Sequence, residues 1–314
     1  MRLQRLALAV AGMGLLAASV VSAPANAAKT DLKPWSDLTK QSNSAKAATE
    51  ACEITTGYPT AAGTMEAADV TAGRPPQGAP YDSFKFVGTR ANATWYMAAN
   101  AAGTQFYYYG LLLQGGNLYR HTTYVYPYHP PVATFKKVGN GWTSFKTIAT
   151  SNDSVDGPSH AYLYGLNSNG SLYRYAIVGA GFKSLGSFPG FKGFKTMTVI
   201  SETMTYDTLL MTTTAGALWT VRIPVAASTK PVLKRIRSGG WQNFESLVVQ
   251  NCGTRGGVLI VGVDNNTQTG TLYAMSKANG AATALTGYGK IPGVVYNGVN
   301  TVRLANHYDP LRGE

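Results

Sequence analysis

Charge is scarce in this sequence: Asp, Glu, Lys and Arg make up 13 % of 314 residues, about half the usual share of roughly 25 %. So little charge, with 45 % apolar residues, excludes a chain held open by self-repulsion and a coiled coil. Acids are fewest, 15 against 27 Lys and Arg, and there are only four histidines. None of His121, His129, His160 and His307 has the H-E-x-x-H spacing that sets two imidazoles on one helical face, so no metal site is expected. No P-loop or dinucleotide fingerprint calls for a cofactor. Cys52 and Cys252 are the only cysteines, too few for a disulfide-built miniature. Beyond the first residues no apolar run reaches the ~18 residues of a membrane span.

What is plentiful is glycine, at 35 residues, and flat rings, with 19 Tyr, 10 Phe and 5 Trp. Turn-makers mixed with aromatic and β-branched residues describe many short strands, so an all-β fold is expected. Arg2 and Arg5 precede an apolar stretch from Leu6 to Val21 that ends at Ala25-Asn26-Ala27. That is the pattern of a secretory signal peptide over residues 1–27, cleaved before Ala28. Losing Arg2 and Arg5 lowers the formal charge from +12 to +10. A secreted, extracellular location favours oxidation, and a Cys52–Cys252 disulfide is the natural pairing.

Self-comparison finds an aromatic followed three positions later by a second apolar residue: Tyr81/Phe84, Trp142/Phe145, Phe191/Phe194, Trp241/Phe244 and, more weakly, Tyr296/Val299. Glycines Gly141, Gly190 and Gly240 precede three of the leading rings. Between copies lies a G-x-L-aromatic element, at Gly116/Leu118/Tyr119, Gly170/Leu172/Tyr173, Gly216/Leu218/Trp219 and Gly270/Leu272/Tyr273. Units of about 50 residues with four strands are the size of propeller blades. The fold expected is therefore an all-β propeller of four-stranded blades with five blades, four being the alternative and a β-sandwich the competing architecture. Residues 81–314 form the repeat domain, and 28–80, which carry no G-x-L-aromatic element, read as an N-terminal extension with a short helix from Ser36 to Cys52. Only the opening strand of a fifth blade, Val299 to Leu304, is visible.

Lys137-Val138-Gly139-Asn140-Gly141-Trp142-Thr143-Ser144-Phe145-Lys146 and Arg235-Ile236-Arg237-Ser238-Gly239-Gly240-Trp241-Gln242-Asn243-Phe244 resemble the repeat junction of tachylectin-type propeller lectins. Gly270-Thr271-Leu272-Tyr273-Ala274-Met275 resembles the G-x-L-Y-A-V strand of those repeats, and Pro130-Pro131 their Pro pair. The resemblance spans about residues 78 to 305. It implies a five-bladed lectin that binds N-acetylated sugars at repeated sites.

On that reading Tyr81, Gly141, Trp142, Gly240, Trp241 and Asn243 form shallow sugar pockets, in which a ring stacks on the sugar and Asn and Gly supply hydrogen bonds. The same rings have a structural explanation, as filler of the wedges between sheets. The partner expected is a glycan, an N-acetylated sugar or a cell-wall polymer. Lys85, Lys146 and Lys195 at repeat-equivalent positions, with Lys136 and Lys137 nearby, would form a positive rim. No Lys/Arg run points to specific nucleic-acid recognition. A non-enzymatic protein is expected, the alternatives being a polysaccharide hydrolase that pairs two of Glu202, Asp207, Glu245 and Asp264, and a structural module with no sugar site. Gly157-Pro158-Ser159-His160 resembles a nucleophile elbow, and residues 152–157 a partial calcium loop. A strand pattern after the first, and Leu163 where the second needs a carboxylate, make turns of both.

Overall fold

A computed structural model describes residues 32–35, 37, 52–153, 160–226, 230–252, 257–306 and 309–314. The expected signal peptide, most of the expected helix, the Ser159 elbow and most of the calcium-loop stretch lie outside these residues. Among the described residues there is no α-helix, and none long and apolar enough to cross a membrane.

Five blades of four antiparallel strands make the fold. Blade I comprises Trp95–Ala99, Phe106–Gln114, Asn117–Tyr126 and His129–Gly139, with the short strand Ala91–Asn92 ahead of them. Blade II is Phe145–Asp153, His160–Asn167, Leu172–Val178 and Gly181–Phe188, and blade III is Phe194–Glu202, Tyr206–Thr213, Leu218–Pro224 and Val232–Arg237. Blade IV is Ser246–Asn251, Val258–Asp264, Thr269–Met275 and Leu285–Lys290. The first strand of each blade is innermost. Inner strands of II and III touch, as do those of III and IV, of IV and V, and the opening strands of I and II, so the blades close into a ring.

Blade V is assembled from distant parts of the sequence. Its inner strand is Val302–Asn306, which pairs antiparallel with Glu53–Pro59, followed outward by Thr64–Thr71 and Gln77–Pro80. The same inner strand runs parallel to Trp95–Ala99 of blade I, joining V and I into one ten-stranded sheet. Residues 53–80, expected as an extension, are thus three strands of the ring, and four blades are excluded. Cys52, at the start of blade V, is bonded to Cys252, which follows the inner strand of blade IV.

Burial follows position in the blade. Phe194–Glu202, an inner strand, is buried along most of its length because neighbouring blades cover both its faces. Its outermost counterpart Val232–Arg237 is exposed at four of six positions and carries Lys234 and Arg235, charges that discourage pairing of an open edge. Between blades lie apolar wedges, the largest running from Ala149 through blade III to Ile260.

Candidate functional site

A single hydrogen bond marks every blade junction. The backbone N–H of a large apolar residue donates to the carbonyl of the glycine that opens the third strand of the preceding blade: Phe86 to Gly63, Trp142 to Gly116, Phe191 to Gly170, Trp241 to Gly216 and Ile291 to Gly270, at 2.8 to 3.0 Å. All five side chains are between 2 % and 6 % exposed, and the residue two after each glycine, Met65, Leu118, Leu172, Leu218 or Leu272, is fully buried. The repeat is therefore fivefold, and two copies lie in a register other than the expected one. At the blade V–I junction the leading residue is Phe86, not Tyr81, and Gly63-Thr64-Met65 is the G-x-L element that the sequence reading missed. Methionine, unbranched and apolar, fills the leucine site. At the last junction Ile291 leads, and Tyr296, five residues later, packs instead over Gly270 and against Tyr58 with ring centroids 5.1 Å apart.

The structure corrects the expected stacking role of the rings. Trp142 is 6 % exposed and lies on Phe145 and Tyr175, at centroid distances of 4.4 and 5.3 Å. Trp241 is 4 % exposed and packs on Phe244 and Tyr273, at 5.4 and 4.8 Å. Both fill wedges, and neither offers a face to solvent. Tyr81 is equally buried, beside Trp35, and its hydroxyl donates to Asp69 at 2.6 Å. Burial and the neighbouring Asp69 charge push its phenol well above the ordinary range.

What stays open at the junctions is backbone. Gly141, Gly190 and Gly240 have φ of +76°, +97° and +95°, and nothing lies within 4 Å of the Cβ each lacks. Each is exposed, and so are Asn140, Thr143 and Ser144 at one ledge and Ser238, Gly239, Gln242 and Asn243 at another. These ledges are short runs of accessible amides and small polar side chains, repeated around one end of the ring.

The basic residues brace the same end. Arg90 of blade I donates from its guanidinium to the carbonyls of Trp142 and Phe145 on blade II, and from Nε to that of Gly115. Lys146 of blade II reaches the Phe194 carbonyl of blade III at 3.2 Å, and Lys195 of blade III reaches the Gln242 carbonyl of blade IV at 2.5 Å and Glu245 at 3.2 Å. Asn92 donates to Asn300 at 2.9 Å, tying blade I to the segment that leads into blade V. Lys85, expected in this set, sits exposed on the side strand Phe84–Lys85, and Arg90 takes its place. A cavity of ~130 Å³ opens inside this girdle, lined by residues from the start of every inner strand.

At the other end of the inner strands lie the buried acids. Glu202 and Asp207 are cross-strand partners. Asp207 accepts from Ser151 (2.6 Å), Tyr164 (2.7 Å) and His160 Nε2 (3.0 Å). Glu202 accepts the N–H of Asn152 and of Leu311, and burial raises its carboxyl to about 7. Residues 309–314 cover this end, with Leu311 and Gly313 hydrogen-bonded to Glu202 and Ile200. The acceptor positions of both acids are thus taken up inside the protein. Glu245 is held at the girdle, and Asp264 accepts the N–H groups of Asn266 and Thr267 in a turn, so the four acids do not converge on one cleft.

No protein-family model and no curated protein matches the chain. Among solved structures it is similar to the SapL1 lectin in complex with α-methyl fucoside, at 9 % identity and TM-score 0.38, covering 76 % of this chain and 79 % of that one. It is also similar to Aleuria aurantia lectin with α-methyl-L-fucoside, at 11 % identity, TM-score 0.40 and coverage of 78 % and 81 %. A functionally unknown protein from Desulfotomaculum acetoxidans matches at 9 % identity and TM-score 0.40, over 81 % and 89 %.

Proposed function

We propose that this chain is a secreted, non-enzymatic glycan-binding propeller whose sites are the open ledges at the blade junctions. The observation that carries this reading is the repetition of one local geometry: a positive-φ glycine with free space above it at Gly141, Gly190 and Gly240, with small polar residues beside it at Gly141 and Gly240. A polar ligand of the size of one sugar needs donors and acceptors on a shallow, rigid floor, and exposed backbone supplies both. Since the tryptophans are buried, each site relies on hydrogen bonds rather than stacking, and each is individually weak because the net gain per bond is small. Several such sites on one rigid ring give avidity on a dense glycan surface, by about 10² to 10⁴.

A glycan screen that includes N-acetylated sugars and bacterial wall polymers, followed by calorimetric stoichiometry, tests the reading. More than one sugar should bind per chain, and Asn243→Ala should remove binding at one ledge with no loss of stability. One sugar per chain, or no glycan bound by the folded protein, would reject it.

A further inference from the structure

We infer that the mouth of the central cavity is a binding site for one small oxyanion, a carboxylate or a phosphate group, separate from the junction ledges and independent of their reading. Around the ring, the cavity wall carries Arg90 just before the short strand of blade I, Lys146 and Lys195 as the second residues of the inner strands of II and III, Glu245 just before that of IV, and Asn300 two residues before that of V. Three consecutive cations thus face one carboxylate. Glu245 is already held by Lys195 and by the N–H of Asn265, and Arg303, deeper in the cavity wall, is paired with Asp309 at 2.8 Å. Arg90 and Lys146 have no carboxylate partner among the described residues.

Their bonds to carbonyls fix the cationic heads without neutralising them. Arg90 spends three of its five N–H donors on Gly115, Trp142 and Phe145, and Lys146 spends one of three on Phe194, so each retains two. Hydroxyls add to the donor set. Thr301 Oγ1 is buried on the cavity wall with no hydrogen-bond partner. Ser246 Oγ accepts the N–H of Thr301 at 3.1 Å, which leaves its own hydrogen to donate. Fixed cations and hydroxyl donors converging on one concave mouth focus positive potential there and match the acceptor-only chemistry of an oxyanion.

Size sets the ligand class. A water needs roughly 10–15 Å³ of such space, so a cavity of ~130 Å³ takes a carboxylate or phosphate group with a few attached atoms. A polymer can enter only by its end.

Calorimetric titration of the intact chain with inorganic phosphate, with D-glucuronate and with D-glucose, at low chloride, tests the site. Saturable binding of phosphate, glucuronate or both at one per chain is expected, with no heat from glucose at this site, and the anion that binds identifies the group the site takes. Lys146→Gln should weaken binding about tenfold. Lys85→Gln, which removes the same charge from a residue outside the cavity wall, should leave it unchanged. Thr301→Val keeps the shape of the side chain and removes only the hydroxyl, so it tests the site where the lysine variant loses stability, and a several-fold loss is expected. Absence of saturable binding by either anion would overturn the proposal. So would equal effects of Lys146→Gln and Lys85→Gln, since a site that responds only to net charge is no site.

Discussion

Blades II, III and IV are each one continuous stretch of chain, whereas blade V joins a strand at residues 302–306 to three strands at 53–80. The two kinds of blade have the same four-strand plan and the same junction bond, yet they are held differently. A continuous blade closes through hairpins of a few residues, at little entropic cost. Blade V must bring together segments separated by most of the sequence, and extra ties collect there. The Cys52–Cys252 bond anchors it to blade IV, Lys33 pairs with Asp69, and Arg303 binds Gln250 and Asp309. Parallel pairing with Trp95–Ala99 adds a seam to blade I. Ring closure is therefore secured by individual bonds, and the rest of the ring by repetition.

The sharpest way to break the difference is to remove the disulfide. It closes a span of 200 residues, for which the chain-entropy argument gives about 4 to 5 kcal/mol. Cys52→Ser with Cys252→Ser should lower the unfolding midpoint by roughly 10 °C or more. Hydrogen exchange should accelerate first in Glu53–Pro80 and last in blade III. Uniform acceleration across all blades would show that the ring opens as one unit and that blade V has no special weakness.

Next in size are the wedge fillers. Trp241→Ala should cost about 3 to 5 kcal/mol and Ile291→Ala about 2 to 4, both read from urea denaturation, because each leaves a cavity in a wedge that cannot collapse. Ile291 belongs to the junction that leads into blade V, so a near-neutral Ile291→Ala would mean that Tyr296, not Ile291, carries that wedge.

These two positions also show what the sequence made legible. The G-x-L elements stand out because each blade from I to IV repeats one at similar spacing, with Trp142 and Trp241 marking two of the junctions, and four-stranded units follow from that spacing. Of blade V only the opening strand, at Val299 to Leu304, was legible, and its link to the other three strands was hidden for two physical reasons. Its G-x-L element uses Met65, and its inner strand lies at the far end of the chain, where no local pattern links it to residue 53. The site was legible only in part. Glycines Gly141 and Gly240 were found as junction markers, but a sequence does not tell whether a tryptophan turns its face to solvent or into a wedge. Arg90 was missed because its copy of the repeat leads with Phe86, out of register with the more conspicuous Tyr81.

Acid should probe the seam between blades V and I. His121 is fully buried against Trp95, with ring centroids 4.0 Å apart, and burial lowers its pKa to about 3 from the ordinary 6.5. The unfolded chain takes up a proton near pH 6.5 and the folded one only near 3. Stability therefore falls as pH drops through that window, by about 1.4 kcal/mol per unit. Glu202 acts in the opposite sense. Its folded value of about 7 lies above the ordinary 4.5, so its contribution weakens folding as pH rises from 4.5 towards 7. The two slopes offset each other in the wild type, and the quantity to read is the difference between wild type and His121→Phe. That difference should shift by about 2 kcal/mol in favour of the variant between pH 6.5 and 5. A difference independent of pH would mean that His121 is protonated in the folded protein.

The finest distinction concerns two glycines with nearly the same backbone. Gly63 has φ +80° and Gly141 +76°, so alanine at either carries the same left-handed strain, about 1 kcal/mol. Their surroundings differ. Gly141 faces open space, whereas a Cβ on Gly63 would sit 3.3 Å from the Phe86 carbonyl, beside the carbonyl of its own that holds the Phe86 N–H. Gly63→Ala should therefore cost roughly 1 to 2 kcal/mol and Gly141→Ala no more than about 1. Only the former should also speed hydrogen exchange at the Phe86 amide. Asparagine, which tolerates positive φ, should recover part of the loss at Gly63. Equal costs with an unaffected Phe86 amide would reduce Gly63 to an ordinary turn residue, and the fifth junction would then rest on side-chain packing alone.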